Sequence, residues 1–188
     1  MNNPAQLRYG LITERRNRRR WLLGAVAGTA ALAGFGIAWR TARPHDSPQT
    51  VESGFWLREF ETPDDRMIRM HSFRHKPLLL NFWATWCPPC IDELPLLSSF
   101  YSEHLANGWQ VLGFAIDQKE PVKRFLTRSP VTFPVVMAGV SGVEIGRYLG
   151  NSVGGLPFTA VLNSAGQIVQ RKMGQISALD LLEWTAQL

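Results

Sequence analysis

Cysteine is scarce: there are two in 188 residues, both in the stretch Trp86-Cys87-Pro88-Pro89-Cys90. A framework of structural disulfides is therefore excluded, because closing so short a loop removes little entropy from the unfolded chain. Acidic residues are almost missing from one end. Among residues 1–43 the only acid is Glu14, against eight Arg, so that end carries +7. Residues 44–188 hold twelve basic and fourteen acidic groups, a net of −2, although the whole chain is +5 with a pI near 9.7. A protein that gripped phosphates would keep its Lys and Arg on the folded surface, so nucleic-acid binding loses its main support. Long apolar runs are also absent save one, at residues 21–39, which excludes a multi-pass membrane protein. No internal repeat is present, nor any low-complexity segment beyond the leader. The length allows one domain plus an appendage.

That single run, nineteen uncharged residues closed by Trp21 and Trp39, would span roughly 28 Å as a helix, near the ~30 Å of a bilayer core. Indole rings favour the lipid–water boundary. Six Arg precede the run and only Arg40 and Arg43 follow. The positive-inside rule then keeps residues 1–20 in the cytoplasm as a basic leader and sends residue 40 onward across the membrane. The expectation is one transmembrane anchor over 21–39 in an inner membrane, with the remainder in the periplasm or its equivalent. A cleaved secretory signal stays open, since Gly36 and Ala38 are small enough for a cleavage site. Residues 18–22 also weakly resemble a twin-arginine export signal. Residues 40–54 carry Pro, Ser, Thr, Gly and Asp without apolar periodicity and read as a linker.

The folded domain is expected over 55–188. Residues 55–60 and 67–70 flank the turn signal Thr62-Pro63-Asp64-Asp65 and predict a hairpin. Residues 78–83 are an apolar run interrupted only by Asn81, the pattern of a strand buried on both faces. From Pro88 to about residue 105, Ile91, Leu94, Leu97, Phe100 and Tyr101 recur at helical spacing, with a kink expected at Pro95. Strands are predicted at 111–116 and 133–137, and helices at 121–128 and 143–149. Residues 159–162 and 168–173 flank the Asn163–Gly166 turn as an antiparallel hairpin. Ser177 caps a last helix to about 186, with Leu179, Leu182 and Trp184 partly buried. The order describes an α/β fold, a mixed sheet with helices on both faces.

The C-x-x-C stands where the buried strand gives way to the long helix. Its spacing allows reversible pairing, with Cys87 exposed just before the helix and Cys90 one turn in. A helix N-terminus favours a thiolate at Cys87, the species that attacks disulfides. Cys87 is then the attacking sulfur and Cys90 the one that resolves the mixed disulfide. Pro88 and Pro89 lack N–H groups, which leaves chiefly the Cys90 N–H to stabilise that thiolate. The rival reading is a metal half-site. His71 and His75 have a usable H-x3-H spacing, but residues 78–86 between the pairs include the buried strand, which carries the histidines away. Both read as solvated loop residues, and Met67 and Met70, which invite a copper reading, as packing. No metal ligand set is assigned.

Asn81-Phe82-Trp83-Ala84-Thr85-Trp86-Cys87-Pro88-Pro89-Cys90, followed by Glu93 and Pro95, resembles the active-site segment of the thioredoxin superfamily, in its membrane-anchored TlpA/ResA-like branch. Gly155-Leu156-Pro157-Phe158-Thr159 resembles that family's cis-Pro loop. The resemblance covers about 55–188. It implies a thioredoxin-like fold, a central mixed sheet flanked by helices with an N-terminal hairpin and a central insertion near 122–149. It also implies an extracytoplasmic thiol-disulfide oxidoreductase with no cofactor beyond a redox-active Cys87–Cys90 disulfide. Clients such as apocytochrome c or copper-site assembly proteins follow from the same resemblance, with a membrane thiol-electron transporter as reductant. A cis bond at Pro157 would turn the Leu156 backbone toward Cys87 and offer edge hydrogen bonds to an extended substrate; a trans turn proline is the alternative. Trp86 either shields the disulfide or only packs.

Asn81 departs from the buried Asp of cytoplasmic thioredoxins and cannot take a proton. Glu93, one turn after Cys90, is the nearest substitute, either relaying the Cys90 proton or standing as a solvated helix-face carboxylate. Two functional rivals remain: a thiol oxidant or isomerase with the same chemistry, and a non-catalytic metal chaperone. A peroxidase is disfavoured by the lack of a separate Thr-x-x-Cys signature.

Overall fold

The computed structural model describes residues 49–188. The basic leader, the span expected at 21–39 and residues 40–48 of the expected linker lie outside them. Among the described residues no helix is long and apolar enough to cross a membrane. The elements run α1 (Ser53–Trp56), β1 (Glu59–Glu61), β2 (Met67–Arg69), β3 (Leu78–Trp83), α2 (Pro88–His104), β4 (Gln110–Ala115) and α3 (Lys119–Arg128), then β5 (Val135–Met137), α4 (Gly139–Tyr148), β6 (Phe158–Leu162), β7 (Ile168–Met173) and α5 (Ala178–Ala186).

A five-stranded sheet in the order β5-β4-β3-β6-β7 forms the centre, and β1-β2 make a separate antiparallel hairpin. Strands β3, β4 and β5 pair in parallel; β3-β6 and β6-β7 are antiparallel. All six residues of β3 are buried, which is what a strand covered on both faces requires. Its alternation feeds two cores. Leu78, Leu80 and Phe82 pack with Leu112, Phe114 and Phe158, while Leu79 and Trp83 join Cys90, Leu94 and Leu97 of α2. Asn81 has the parity of the second set and therefore faces α2.

Several expectations shift. The folded body starts earlier than residue 55: Val51 is buried and its N–H donates to the Gly166 carbonyl, and Thr50 bridges to Gln167. Residues 53–56, expected as linker and strand, form the helical turn α1 and bury Phe55 and Trp56. Helix α4 begins at Gly139, whose φ of 48° glycine accepts without strain, four residues ahead of expectation. On α5 the buried side is Leu181 and Trp184, whereas Leu179 and Leu182 are exposed. The Ser177–Asp180 capping box sets where α5 starts, but packing sets which face turns inward.

Candidate active site

Helix α2 starts at the cysteines. Cys87 is its N-cap, with Pro88 and Pro89 in the first two helical positions, where a missing N–H costs nothing. Cys87 and Cys90 form a disulfide with their Cα atoms 5.3 Å apart. Cys90 is fully buried and Cys87 is only 5% exposed, so the attacking sulfur is not open to solvent in this oxidised state as the sequence suggested. It belongs to the buried cluster that Leu156 also packs against. The Cys90 N–H, the expected donor to a Cys87 thiolate, instead donates to the Cys87 carbonyl at 3.1 Å, and the Ile91 N–H reaches the same oxygen at 3.2 Å. The thiolate must draw chiefly on the positive end of α2.

Glu93 lies one turn beyond Cys90, so the two share a face of the helix. It is buried at 1% exposure, which removes the solvated reading. Asn81 Nδ2 donates to Glu93 Oε1 at 2.7 Å, and the Ile176 N–H donates to Oε2 at 2.8 Å. Burial pushes the Glu93 carboxyl above its ordinary range, opposed by the Ile176 and Asn81 donors and by the charge of Lys172. The Asn81 Nδ2 also donates to Thr159 Oγ1 at 3.1 Å, and Asn81 and Thr159 are direct partners in the β3-β6 register.

The Leu156-Pro157 peptide is cis. The Pro157 carbonyl accepts from the Gly174 N–H at 2.9 Å, and Asn151 Nδ2 braces the loop through the Gly155 carbonyl at 2.8 Å. Among the described residues the Leu156 N–H and carbonyl take no intramolecular partner, which leaves that backbone edge available to an extended chain. Trp86 is 66% exposed, so it does not pack in the core. With Leu156, Phe82 and Val143 it lines a cavity of about 170 Å³. A larger cavity, about 340 Å³, lies between the hairpin and α3 and includes neither cysteine nor Glu93.

Sequence reasoning missed Asp117 and Thr159. Asp117, two residues past β4, accepts from the Thr85 N–H at 2.9 Å, the Thr85 hydroxyl at 2.5 Å and the Gln118 N–H at 2.7 Å. It thereby pins the turn that leads into Cys87. The signal was available in outline: Trp83 pairs with Ala115, so residues just past those two strand ends must be neighbours. Among the described residues no group of three or more His, Cys, Asp and Glu side chains could hold a metal ion. His71 and His75 are exposed; Met70 is buried in the core while Met67 is exposed.

A profile of the Redoxin family matches residues 57–181. Sporulation thiol-disulfide oxidoreductase A of Bacillus subtilis is 28% identical over 155 residues, which cover 79% of this chain and 89% of that protein. Thiol-disulfide oxidoreductase ResA of Bacillus cereus is 30% identical over 113 residues, 60% of this chain and 63% of that one, so the match spans a little under two thirds of its length. Among solved structures, a thiol:disulfide interchange protein of the thioredoxin family from Chlorobium tepidum aligns with a TM-score of 0.61 at 25% identity, over 68% of this chain and 91% of that one.

Proposed function

The chain belongs to the Redoxin family, as a ResA-like thiol-disulfide oxidoreductase of the thioredoxin superfamily, and from that premise we propose that it reduces disulfides in extracytoplasmic client proteins. The observation that carries the mechanism is the placement of Cys90 and Glu93 one turn apart, both buried, on the inner face of α2.

In the dithiol form, the Cys87 thiolate attacks one sulfur of a client disulfide. The Cys87–client bond forms, the client S–S bond breaks, and the second client sulfur leaves as a thiolate that takes a proton from solvent. Leu156 offers its backbone edge to the client segment, and Trp86 flanks it. Cys90 then transfers its proton to the Glu93 carboxylate and attacks Cys87 Sγ. The Cys87–Cys90 disulfide forms, the client leaves as a thiol after protonation, and two electrons have passed to it. The elevated proton affinity of a buried Glu93 suits it to hold that proton.

A reductant in an oxidising compartment needs a dithiol donor, and a membrane thiol-electron transporter fills that part here. Clients of the apocytochrome c or copper-site assembly kind fit a protein tethered at the membrane by residues 21–39, with its N-terminus in the cytoplasm. The experiment is measurement of the reduction potential together with the rate at which the dithiol form reduces a protein disulfide. A potential near that of thioredoxin, about −270 mV, with fast reduction abolished by Cys87→Ser, supports the reading. A potential near about −120 mV makes the protein an oxidant. Stoichiometric metal retained by the purified protein and lost in Cys87→Ser would instead support the chaperone reading.

A further inference from the structure

The Glu93 carboxyl is held by two donors, Asn81 Nδ2 on Oε1 and the Ile176 N–H on Oε2. This cage suits a carboxylate, which only accepts. A carboxylic acid carries one O–H, which meets a donor where the proton takes the lone pair that accepts now, while the remaining lone pairs still accept. A cage that serves both states at the lone pair now facing a donor needs a partner there that can turn from donor to acceptor. The Ile176 N–H is backbone and cannot. The Asn81 amide can: its Oδ1 is buried without any partner, so turning it exchanges the two Nδ2 bonds for two Oδ1 bonds and moves the NH₂ to the place that Oδ1 now holds without a partner. The second Nδ2 hydrogen goes to Thr159 Oγ1, and a hydroxyl donates as readily as it accepts.

We propose that Asn81 is a two-position positioning residue for Glu93. With Nδ2 toward Glu93 Oε1 and Thr159 Oγ1, it holds the carboxylate. Turned end for end, its Oδ1 accepts both from the newly protonated Oε1 and from the Thr159 hydroxyl. The proton therefore rests on Oε1, the oxygen whose neighbour can turn, and not on Oε2. In the transfer, the Cys90 S–H bond breaks, the Oε1–H bond forms, and the electron pair stays on sulfur as the attacking thiolate. Strands β3 and β6 face Glu93 with only neutral Asn81 and Thr159. The charge that acts on it is Lys172 of β7, ion-paired with Asp180 of α5, and Cys90 of α2 carries no proton while disulfide-bonded.

The use of the proton rests on the proposed relay, but the amide turn depends only on the protonation state of Glu93 and is tested apart from catalysis. The experiment is nuclear magnetic resonance on the full, oxidised chain with labelled Asn and Glu side chains, titrated with pH. The Asn81 NH₂ resonances are expected to move with the same midpoint as the Glu93 carboxyl carbon, and their proximity to the Thr159 hydroxyl side is expected to weaken below it. Glu93→Gln presents a neutral N–H donor in place of the acid O–H, so Asn81 should sit at its wild-type low-pH position at every pH. Asn81→Ala should raise the Glu93 midpoint by about one unit, because the carboxylate loses a charge-assisted donor. An Asn81 NH₂ that stays still through the Glu93 titration, or that keeps its high-pH position in Glu93→Gln, overturns the proposal. If Asn81 follows Glu93 while Glu93→Gln leaves the pH profile of exchange unmoved, the amide turn stands and the relay falls.

Discussion

Asp117 holds Thr85 twice, accepting its backbone N–H at 2.9 Å and its hydroxyl at 2.5 Å, so a carboxylate at the end of one parallel strand fixes the turn entering the cysteine pair from the next. Removing the carboxylate strands three donors in a half-buried site. Asp117→Ala is expected to lower unfolding free energy by about 2–3 kcal/mol, and Thr85→Val by about 1 kcal/mol. In a denaturant double-mutant cycle the two losses should fall well short of adding, since both remove the same contact. Full additivity would mean the contact contributes nothing in solution.

Glu93 makes stability depend on pH in a stated direction. Burial raises its proton affinity above the ordinary value of 4.5 in the folded state. Between that value and the raised one, the folded protein keeps a proton that the unfolded chain has lost. The associated stability is complete below about 4.5 and is lost as pH rises through the folded value. Urea midpoints of the oxidised protein should show this fall, and Glu93→Gln should lack it. A difference between wild type and Glu93→Gln that stays constant across that window contradicts a raised Glu93.

Two glycines of α4 should respond oppositely to alanine. A Cβ at Gly142 would overlap Ile116 Cδ1 and stand 2.6 Å from the Ala138 Cβ, so Gly142→Ala should cost roughly 1–3 kcal/mol. At Gly146 the nearest atom is 3.7 Å away, ordinary contact, and Gly146→Ala should match or exceed wild type by up to about 1 kcal/mol through helix propensity. Thermal melts decide it; equal losses at both positions would contradict the packing of α4 on the sheet.

These sites differ in how far a sequence can reveal them. The buried strand 78–83 and the long helix after the cysteines were legible because each is a local pattern, five apolar positions in a run of six or recurring helical spacing. Val51 was hidden in a stretch of linker composition, because its partner, the Gly166 carbonyl, lies more than a hundred residues away. Leu181 and Leu182 are adjacent and alike, and only the packing of α5 decides that the first is buried and the second exposed. Cys87 and Cys90 announce themselves by spacing, but Asp117 and Thr159 act across 32 and 78 residues, and no local pattern encodes such reach.

The membrane assignment of residues 21–39 predicts that alkaline carbonate extraction leaves the full chain in the membrane pellet. A soluble chain whose N-terminus lies near residue 39 would establish the cleaved-signal alternative.

The most direct test of the account is trapping with Cys90→Ser in the native host, followed by non-reducing electrophoresis. Without the resolving sulfur, Cys87 should accumulate in mixed disulfides with extracytoplasmic clients, and Cys87→Ser together with Cys90→Ser should abolish them. A folded Cys90→Ser protein that captures no client, with its Cys87 thiol free, would contradict disulfide reduction through Cys87.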